Sequence, residues 1–114
     1  MSGAEEGGIT LLQEMHVKLI VAMAEAQKLS PEAVEAKAAW YEVSCLKEII
    51  ASMLSPKCEA GFVARHGAVE AARCAGDEPR ARELLRRYAT EDGFADKGWW
   101  EGQFGPIPKW PASR

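Results

Sequence analysis

Residues 30–59 read SPEAVEAKAAWYEVSCLKEIIASMLSPKCE, a stretch in which one amphipathic pattern is enclosed by two Ser-Pro pairs. Serine can cap a helix, proline fits a first helical turn, and a following Glu favours the positive end of the helix dipole. Between the two pairs, apolar residues recur at intervals of three and four: Val34, Ala38, Tyr41, Cys45, Ile49 and Met53, widened by Leu46, Ile50 and Leu54. The pattern predicts a helix of about six turns that begins at residues 30–32 and ends near Leu54.

A first helix is predicted upstream of this stretch. Thr10 and Gln13 have the spacing of a capping box, in which each side chain satisfies a backbone donor of the other. The apolar residues that follow have helical spacing: Ile9, Leu12, Leu19, Met23 and Ala26, flanked by Met15, Ile20 and Leu29. Residues 1–8 hold three glycines and no large side chain after Met1, so we expect a disordered N-terminus.

Two further helices are predicted downstream. The second Ser-Pro pair, at residues 55 and 56, opens a third helix, along which one line carries Phe62, His66, Val69 and Arg73. Gly61 and Gly67 weaken this helix unless each allows close packing against a neighbour. Gly76, Asp77 and Pro79 form a stop and a new cap, and a fourth helix over about 78–90 follows, with one apolar face: Ala81, Leu84, Leu85 and Tyr88.

The predicted fold class is all-α. No stretch shows the sustained alternation that a strand requires, and the linkers between the helices are short. Short linkers favour antiparallel helix hairpins, so residues 9–92 are predicted to form a small four-helix bundle-like domain. Residues 93–114 are predicted to be an extended tail rich in aromatic residues and proline.

Length and charge narrow the classes of protein. A chain of 114 residues suits one core, and a net charge of −3 gives no general attraction to nucleic acid or to anionic membranes. The longest apolar run covers only residues 19–24, whereas a transmembrane helix needs about 20 residues, so no membrane association is predicted. The N-terminus lacks the basic residues of a targeting signal, and a cytoplasmic location is the expectation.

No catalytic or metal-binding motif is visible. The three cysteines, Cys45, Cys58 and Cys74, are predicted to be buried, reduced thiols. Residues 58, 66 and 74 are spaced eight apart, about 12 Å along a helix, so they cannot share a metal ion on one unbroken helix. We therefore predict no cofactor, no metal and no enzymatic activity, with a small thiol- or metal-dependent enzyme built on Cys58, Cys74 and His66 as an alternative.

The fourth helix is rich in arginine. Its four arginines are a candidate surface for phosphate groups or an acidic partner: Arg80, Arg82, Arg86 and Arg87. However, Glu78 precedes Arg82 by four residues and Glu83 precedes Arg87 by four, the favourable order for ion pairs within a helix. A solvated, salt-bridged helix face is therefore preferred over a nucleic-acid surface.

The tail carries the residues that we predict to bind a partner: Trp99, Trp100, Phe104, Ile107 and Trp110. Exposing this apolar area to water would cost several kcal/mol at about 25 cal/mol per Å², so the rings must be covered by the chain's own helices or by another protein. The prolines at 106, 108 and 111 favour an extended path that loses little backbone entropy on docking.

The functional hypothesis is a non-enzymatic protein–protein interaction module, a small helical accessory, adaptor or inhibitor subunit. It would bind an unidentified protein through the Trp-rich tail and one helix face. Homo-oligomerisation is compatible with a bundle of this size. A nucleic-acid-associated regulator that uses the arginines of residues 80–87 is the second hypothesis.

Overall fold

A computed structural model describes residues 10–91, and this part of the chain is all-α, as predicted. Its four helices are α1 (Leu11–Gln27), α2 (Val34–Ser52), α3 (Glu59–Cys74) and α4 (Glu78–Ala89). None of the helices within residues 10–91 has both the length and the apolar character needed to cross a bilayer. The predicted N-terminal segment and the predicted tail lie outside the described residues.

The caps of α1 and α4 confirm the sequence prediction. The Thr10 hydroxyl accepts a hydrogen bond from the Gln13 backbone N–H at 3.1 Å, and the Gln13 side chain accepts one from the Thr10 N–H at 2.9 Å. The Asp77 carboxylate accepts from the Arg80 backbone N–H at 3.1 Å. Gly76 ends the preceding segment with a φ of +74°, a conformation that glycine adopts without strain.

The two Ser-Pro pairs form turns before the helices, so the predicted starts of α2 and α3 are a few residues early. The Ser30 hydroxyl donates to the Glu32 carboxylate at 3.0 Å and caps no helix. The Ser55 hydroxyl accepts from the Lys57 N–H within its own turn. Cys58 is the cap of α3, and its Sγ accepts from the Gly61 N–H at 3.3 Å. A serine side chain can form a hydrogen bond with a group two residues away in a turn instead of capping a helix, and both serines do so here.

The helices pack in chain order: α1 on α2, α2 on α3 and α3 on α4. Near the α2–α3 turn, Arg65 donates to the Leu54 carbonyl at 3.1 Å. Farther from the turn, the buried Ser44 hydroxyl donates to the Ala68 carbonyl at 2.8 Å. Ser44, which is farther from the turn than Leu54, thus contacts a residue of α3 that is also farther from the turn. The two helices are therefore antiparallel.

The buried face of α2 differs from the predicted one. Val34 is 77% exposed, and Tyr41 and Ile49 are also exposed, although all three lie on the predicted apolar stripe. The buried residues of α2 are Ala36, Val43, Ser44, Ile50 and Ala51. Small side chains let neighbouring helices approach α2 closely. A prediction based on the spacing of large apolar residues does not detect a face of this kind.

The predicted apolar face of α4 is confirmed. Its four members are all buried: Ala81, Leu84, Leu85 and Tyr88. They join one core cluster with residues from the other three helices, including Met15 of α1 and Ile50 of α2. Charged residues occupy six of the twelve positions of α4 but only five of the nineteen of α2, so the apolar face of α4 is easier to recognise in the sequence.

The two glycines of α3 are explained by close packing, as predicted. A Cβ atom on Gly61 would lie 2.0 Å from the Ser55 carbonyl oxygen, and one on Gly67 would lie 2.6 Å from Cδ and Nζ of Lys47. The first neighbour is backbone and the second is a flexible side chain. Only position 61 therefore requires glycine, because the backbone of Ser55 cannot move without shifting the α2–α3 turn.

Candidate functional site

Arg65 is the most buried charged side chain among the described residues, only 4% exposed. Its guanidinium donates to the carbonyls of Gly61 at 3.0 Å and Leu54 at 3.1 Å, and to the Glu91 carboxylate at 2.6 Å. It also lies over the Tyr88 ring, 5.5 Å from the centroid. One side chain thus joins the end of α2, the start of α3 and the residue at which the described chain ends.

Two guanidinium groups lie close to the Tyr88 ring. Arg65 and Arg87 are 5.5 and 5.9 Å from its centroid. The Tyr88 hydroxyl is buried and has no hydrogen-bond partner within residues 10–91. Burial raises the pKa of Tyr88 to about 12, so the phenol stays protonated at neutral pH.

Two of the predicted phosphate-binding arginines, Arg80 and Arg87, share one carboxylate. Arg80 lies 2.6 Å and Arg87 2.5 Å from the two oxygens of Glu48 in α2. Arg80 also donates to the Ser44 hydroxyl at 3.0 Å and lies 5.2 Å from the Tyr41 ring centroid. These contacts hold α4 against α2 across the molecule.

The other two predicted arginines, Arg86 and Arg82, do not contact Glu48 in the same way. Arg86 lies 2.5 Å from Glu83, one turn earlier on α4. Arg82 is exposed on the same helix. The structure therefore does not gather the four arginines into one unpaired cluster, because Arg80 and Arg87 share the Glu48 carboxylate and Arg86 pairs with Glu83.

Glu48 should make stability depend on pH. Its burial opposes ionisation, but hydrogen bonds from Arg87 and Arg80 and their charges outweigh it and lower the pKa of Glu48 below its ordinary value. A lowered pKa in the folded state stabilises the fold above the unfolded value of about 4.3, and this contribution disappears as pH falls through the folded pKa. We expect Glu48→Gln to destabilise the protein more near about pH 6 than near about pH 3, measured by urea unfolding at both values.

The control for this prediction is Glu42→Gln, at an exposed position of the same helix. It should change stability little at either pH. A Glu48→Gln effect of equal size at both pH values would contradict the prediction, since the loss would then come from packing and not from the charge.

Contrary to the prediction, the cysteines are not buried. Cys58 and Cys74 are exposed, Cys45 is partly exposed, and none of the three forms a disulfide. The prediction was wrong because Cys58 caps α3 from outside the helix and Cys74 is the last residue of that helix, where neighbours cover little of it. Partial burial, followed by the charge of Glu70, raises the pKa of Cys74, which disfavours the nucleophilic thiolate.

The residues of the enzyme alternative are spread along α3. Cys58 precedes its first turn, His66 lies in its middle and Cys74 ends it, and the helix between them is unbroken. His66 Nε2 lies 3.4 Å from the Glu70 carboxylate, and burial lowers the pKa of His66. Within residues 10–91 no three side chains of the His, Cys, Asp and Glu types are grouped in a way that could hold a metal ion.

Lys47 crosses the surface of α3 where Gly67 leaves room. Its side chain lies in the space that a Cβ on Gly67 would occupy. Burial lowers the pKa of Lys47, whereas the nearby Glu70 and Cys74 act in the opposite direction. This half-buried lysine was not singled out from the sequence, because its partner is a glycine twenty residues away.

A pocket of about 400 Å³ opens between α1, α2 and α3. Its walls are mainly apolar: Leu19, Ile50, Ala60, Val63 and Ala64. Lys47, His16 and Glu59 add polar atoms at its edges. Apolar walls with a few polar groups are typical of pockets that take an apolar or aromatic group, and the volume falls in the usual range of about 300–1,000 Å³.

The outer side of α1 carries an exposed apolar stripe. Val17, Ile20 and Val21 are 54%, 66% and 56% exposed, and their spacing of three and four residues places them on one face. Their exposure separates them from Met15 and Ala26, the buried residues of the same helix. Ile20 was predicted to flank the core, and the structure corrects this assignment.

The predicted partner-binding residues of the tail lie outside the described residues: Trp99, Trp100, Phe104, Ile107 and Trp110. Comparisons with protein-family models, curated proteins and solved structures find no significant match to this chain. Function therefore has to be argued from the side chains themselves.

Proposed function

We propose that this protein is a non-enzymatic protein–protein interaction module, a small helical accessory, adaptor or inhibitor subunit. The observation that carries the proposal is the stripe of Val17, Ile20 and Val21 on α1. Each side chain is more than half exposed, although α1 packs on α2. Single exposed apolar residues are ordinary, but three that adjoin on one helix face are typical of a surface that another protein covers.

The composition of the tail supports the same proposal. Trp99, Trp100 and Trp110 lie within twelve residues of each other, and tryptophan is among the residues most enriched at interface hot spots. A proline-rich segment loses little backbone entropy on binding, so it can present these rings to a partner at low cost. The helix face and the tail would form two parts of one interface.

The ion pairs of α4 favour a protein partner over nucleic acid. Phosphate binding is favoured by cationic groups that are not already ion-paired, whereas Arg80, Arg86 and Arg87 each lie within 2.6 Å of a carboxylate oxygen. A nucleic-acid regulator would have to break these pairs. Its mark would be binding that weakens steeply with salt and a shallower salt dependence after Arg82→Ala and Arg86→Ala.

The experiment that tests the proposal is affinity capture from the native cell with the full chain, followed by mass spectrometry and by binding measurements with the recovered partner. We expect Ile20→Glu to weaken binding at least about tenfold, or about 1.4 kcal/mol, because a charge would be buried in an apolar interface. Removal of the tail after Gly93 should weaken it as well. Size-exclusion chromatography of both proteins would show whether the partner is a second copy.

The matched control is Val34→Glu, which places the same charge on an exposed valine at the start of α2, away from the α1 stripe. It should leave binding unchanged. If Ile20→Glu and Val34→Glu bind alike, and removal of the tail lowers only the melting temperature, the proposed interface does not exist.

A further inference from the structure

The pocket between α1, α2 and α3 lies at the same end of the molecule as the last described residue. Ala60 and Val63 form its wall on α3. On the opposite side of α3, Arg65 holds the Glu91 carboxylate at 2.6 Å and the Leu54 carbonyl at 3.1 Å. Residue 91 is therefore fixed beside the α2–α3 turn, and the chain that follows starts from there.

The chain after Glu91 is long enough to reach the pocket. Trp99 follows Glu91 by eight peptide units, which span at most about 26 Å when extended. The obstacle between them is one helix end, and an α-helix with its side chains is about 10 Å across. The tail can therefore pass around the start of α3 with length to spare.

The chemistry of the pocket suits an indole ring. Ile50 and Val63 offer apolar contact to the ring, and the Glu59 carboxylate can accept a hydrogen bond from the indole N–H. The cationic side chain of Lys47 adds attraction to a ring face, which is strongest for tryptophan. An apolar body with one polar donor matches this lining better than a purely aliphatic or a charged group does.

We infer that this pocket is the seat of the tail's own Trp99-Trp100 segment in the unbound protein, with at least one indole packed against Ile50 and Val63. A segment tethered at Glu91 is present at an effective concentration in the millimolar range, which a second copy does not reach in dilute solution. The consequence for regulation rests on the function proposed above, because a partner that binds the tail has to displace the segment from the pocket.

The test uses paramagnetic relaxation in the full chain, with tryptophan labelled with ¹⁵N. A nitroxide is attached to Cys58, the exposed cap next to the pocket, in a Cys45→Ser and Cys74→Ser background. The control nitroxide is on Cys74, at the other end of α3 about 24 Å away, in a Cys45→Ser and Cys58→Ser background. Trp99→Phe and Trp100→Phe assign the indole signals.

The expected result is a marked loss of the indole N–H signals of Trp99 and Trp100 with the label on Cys58, and little loss with the label on Cys74. Val63→Glu should restore the signals, because the docked ring would strip water from the new carboxylate in the apolar wall. Val17→Glu should not, although Val17 and Val63 are both 54% exposed.

Three results would overturn the inference: equal losses from both labels, no loss from either, or a loss that persists in Val63→Glu. A loss that occurs only when ¹⁵N-labelled chains are mixed with separate nitroxide-labelled chains would place the segment in a second copy. None of these results bears on whether Ile20→Glu weakens partner binding, so the two proposals can fail separately.

Discussion

Replacing Arg65 with methionine is expected to lower the free energy of unfolding by about 3 kcal/mol. Methionine keeps the apolar part of the side chain but removes the donors that serve the Leu54 and Gly61 carbonyls and the charge that faces Glu91. A buried acceptor left without a donor costs about 1–3 kcal/mol, and Glu91 recovers part of the loss through water, since its side chain is one-third exposed. Urea unfolding followed by circular dichroism measures the change.

Two control variants separate the role of Arg65 from a general need for positive charge on α3. Arg65→Lys keeps the charge but cannot reach all three acceptors, so an intermediate loss is expected. Arg73→Met removes an exposed arginine whose distance to Glu78 is 3.7 Å, and a surface pair of this kind contributes at most about 1 kcal/mol. Equal losses in Arg65→Met and Arg73→Met would show that the hydrogen bonds of Arg65 contribute nothing.

Features that depend on neighbouring residues were predictable from the sequence. The capping box of Thr10 and Gln13 and the cap at Asp77 follow from contacts three residues apart, and the structure has both. The buried face of α4 is also a local feature, since its few apolar residues share one side of a helix whose other positions are mostly charged. The all-α class followed from the same local signals.

Features that depend on neighbouring helices were not predictable in this way. The buried face of α2 is set by contacts with α1 and α3, and it includes Ala36 and Ser44, which a count of large apolar residues passes over. The Ser44 hydroxyl can be buried because it donates a hydrogen bond to the Ala68 carbonyl. A polar residue at a helix contact has no signature until its partner is known.

The candidate sites show the same limit. The arginines of α4 were recognised as a set, but the carboxylate that pairs with both Arg80 and Arg87 belongs to Glu48, more than thirty residues earlier. Arg65 was not among the predicted site residues, and its role depends on Glu91, which lies two residues after the end of α4. The pocket requires three helices at once, so no sequence pattern could have indicated it.

The second large effect is expected from Gly61→Ala, which should lower the free energy of unfolding by about 2 kcal/mol. Alanine raises helix propensity by about 1 kcal/mol over glycine, so propensity alone would stabilise α3. However, the new Cβ would lie 2.0 Å from the Ser55 carbonyl oxygen and 3.1 Å from the Arg65 guanidinium. Either α3 or the α2–α3 turn has to shift, and overpacking of this kind typically costs about 1–3 kcal/mol, and more when backbone must move.

Gly67→Ala is the matched control, because it makes the same change on the same helix against a different neighbour. Its Cβ would meet Cδ and Nζ of Lys47, at 2.6 Å, and a lysine side chain can rotate aside. The gain in helix propensity should then prevail, so Gly67→Ala is expected to be neutral or stabilising by up to about 1 kcal/mol. Thermal and urea unfolding of both variants measure the sign directly. If the two substitutions change stability in the same direction and by the same amount, the close approach of the Ser55 carbonyl does not constrain residue 61.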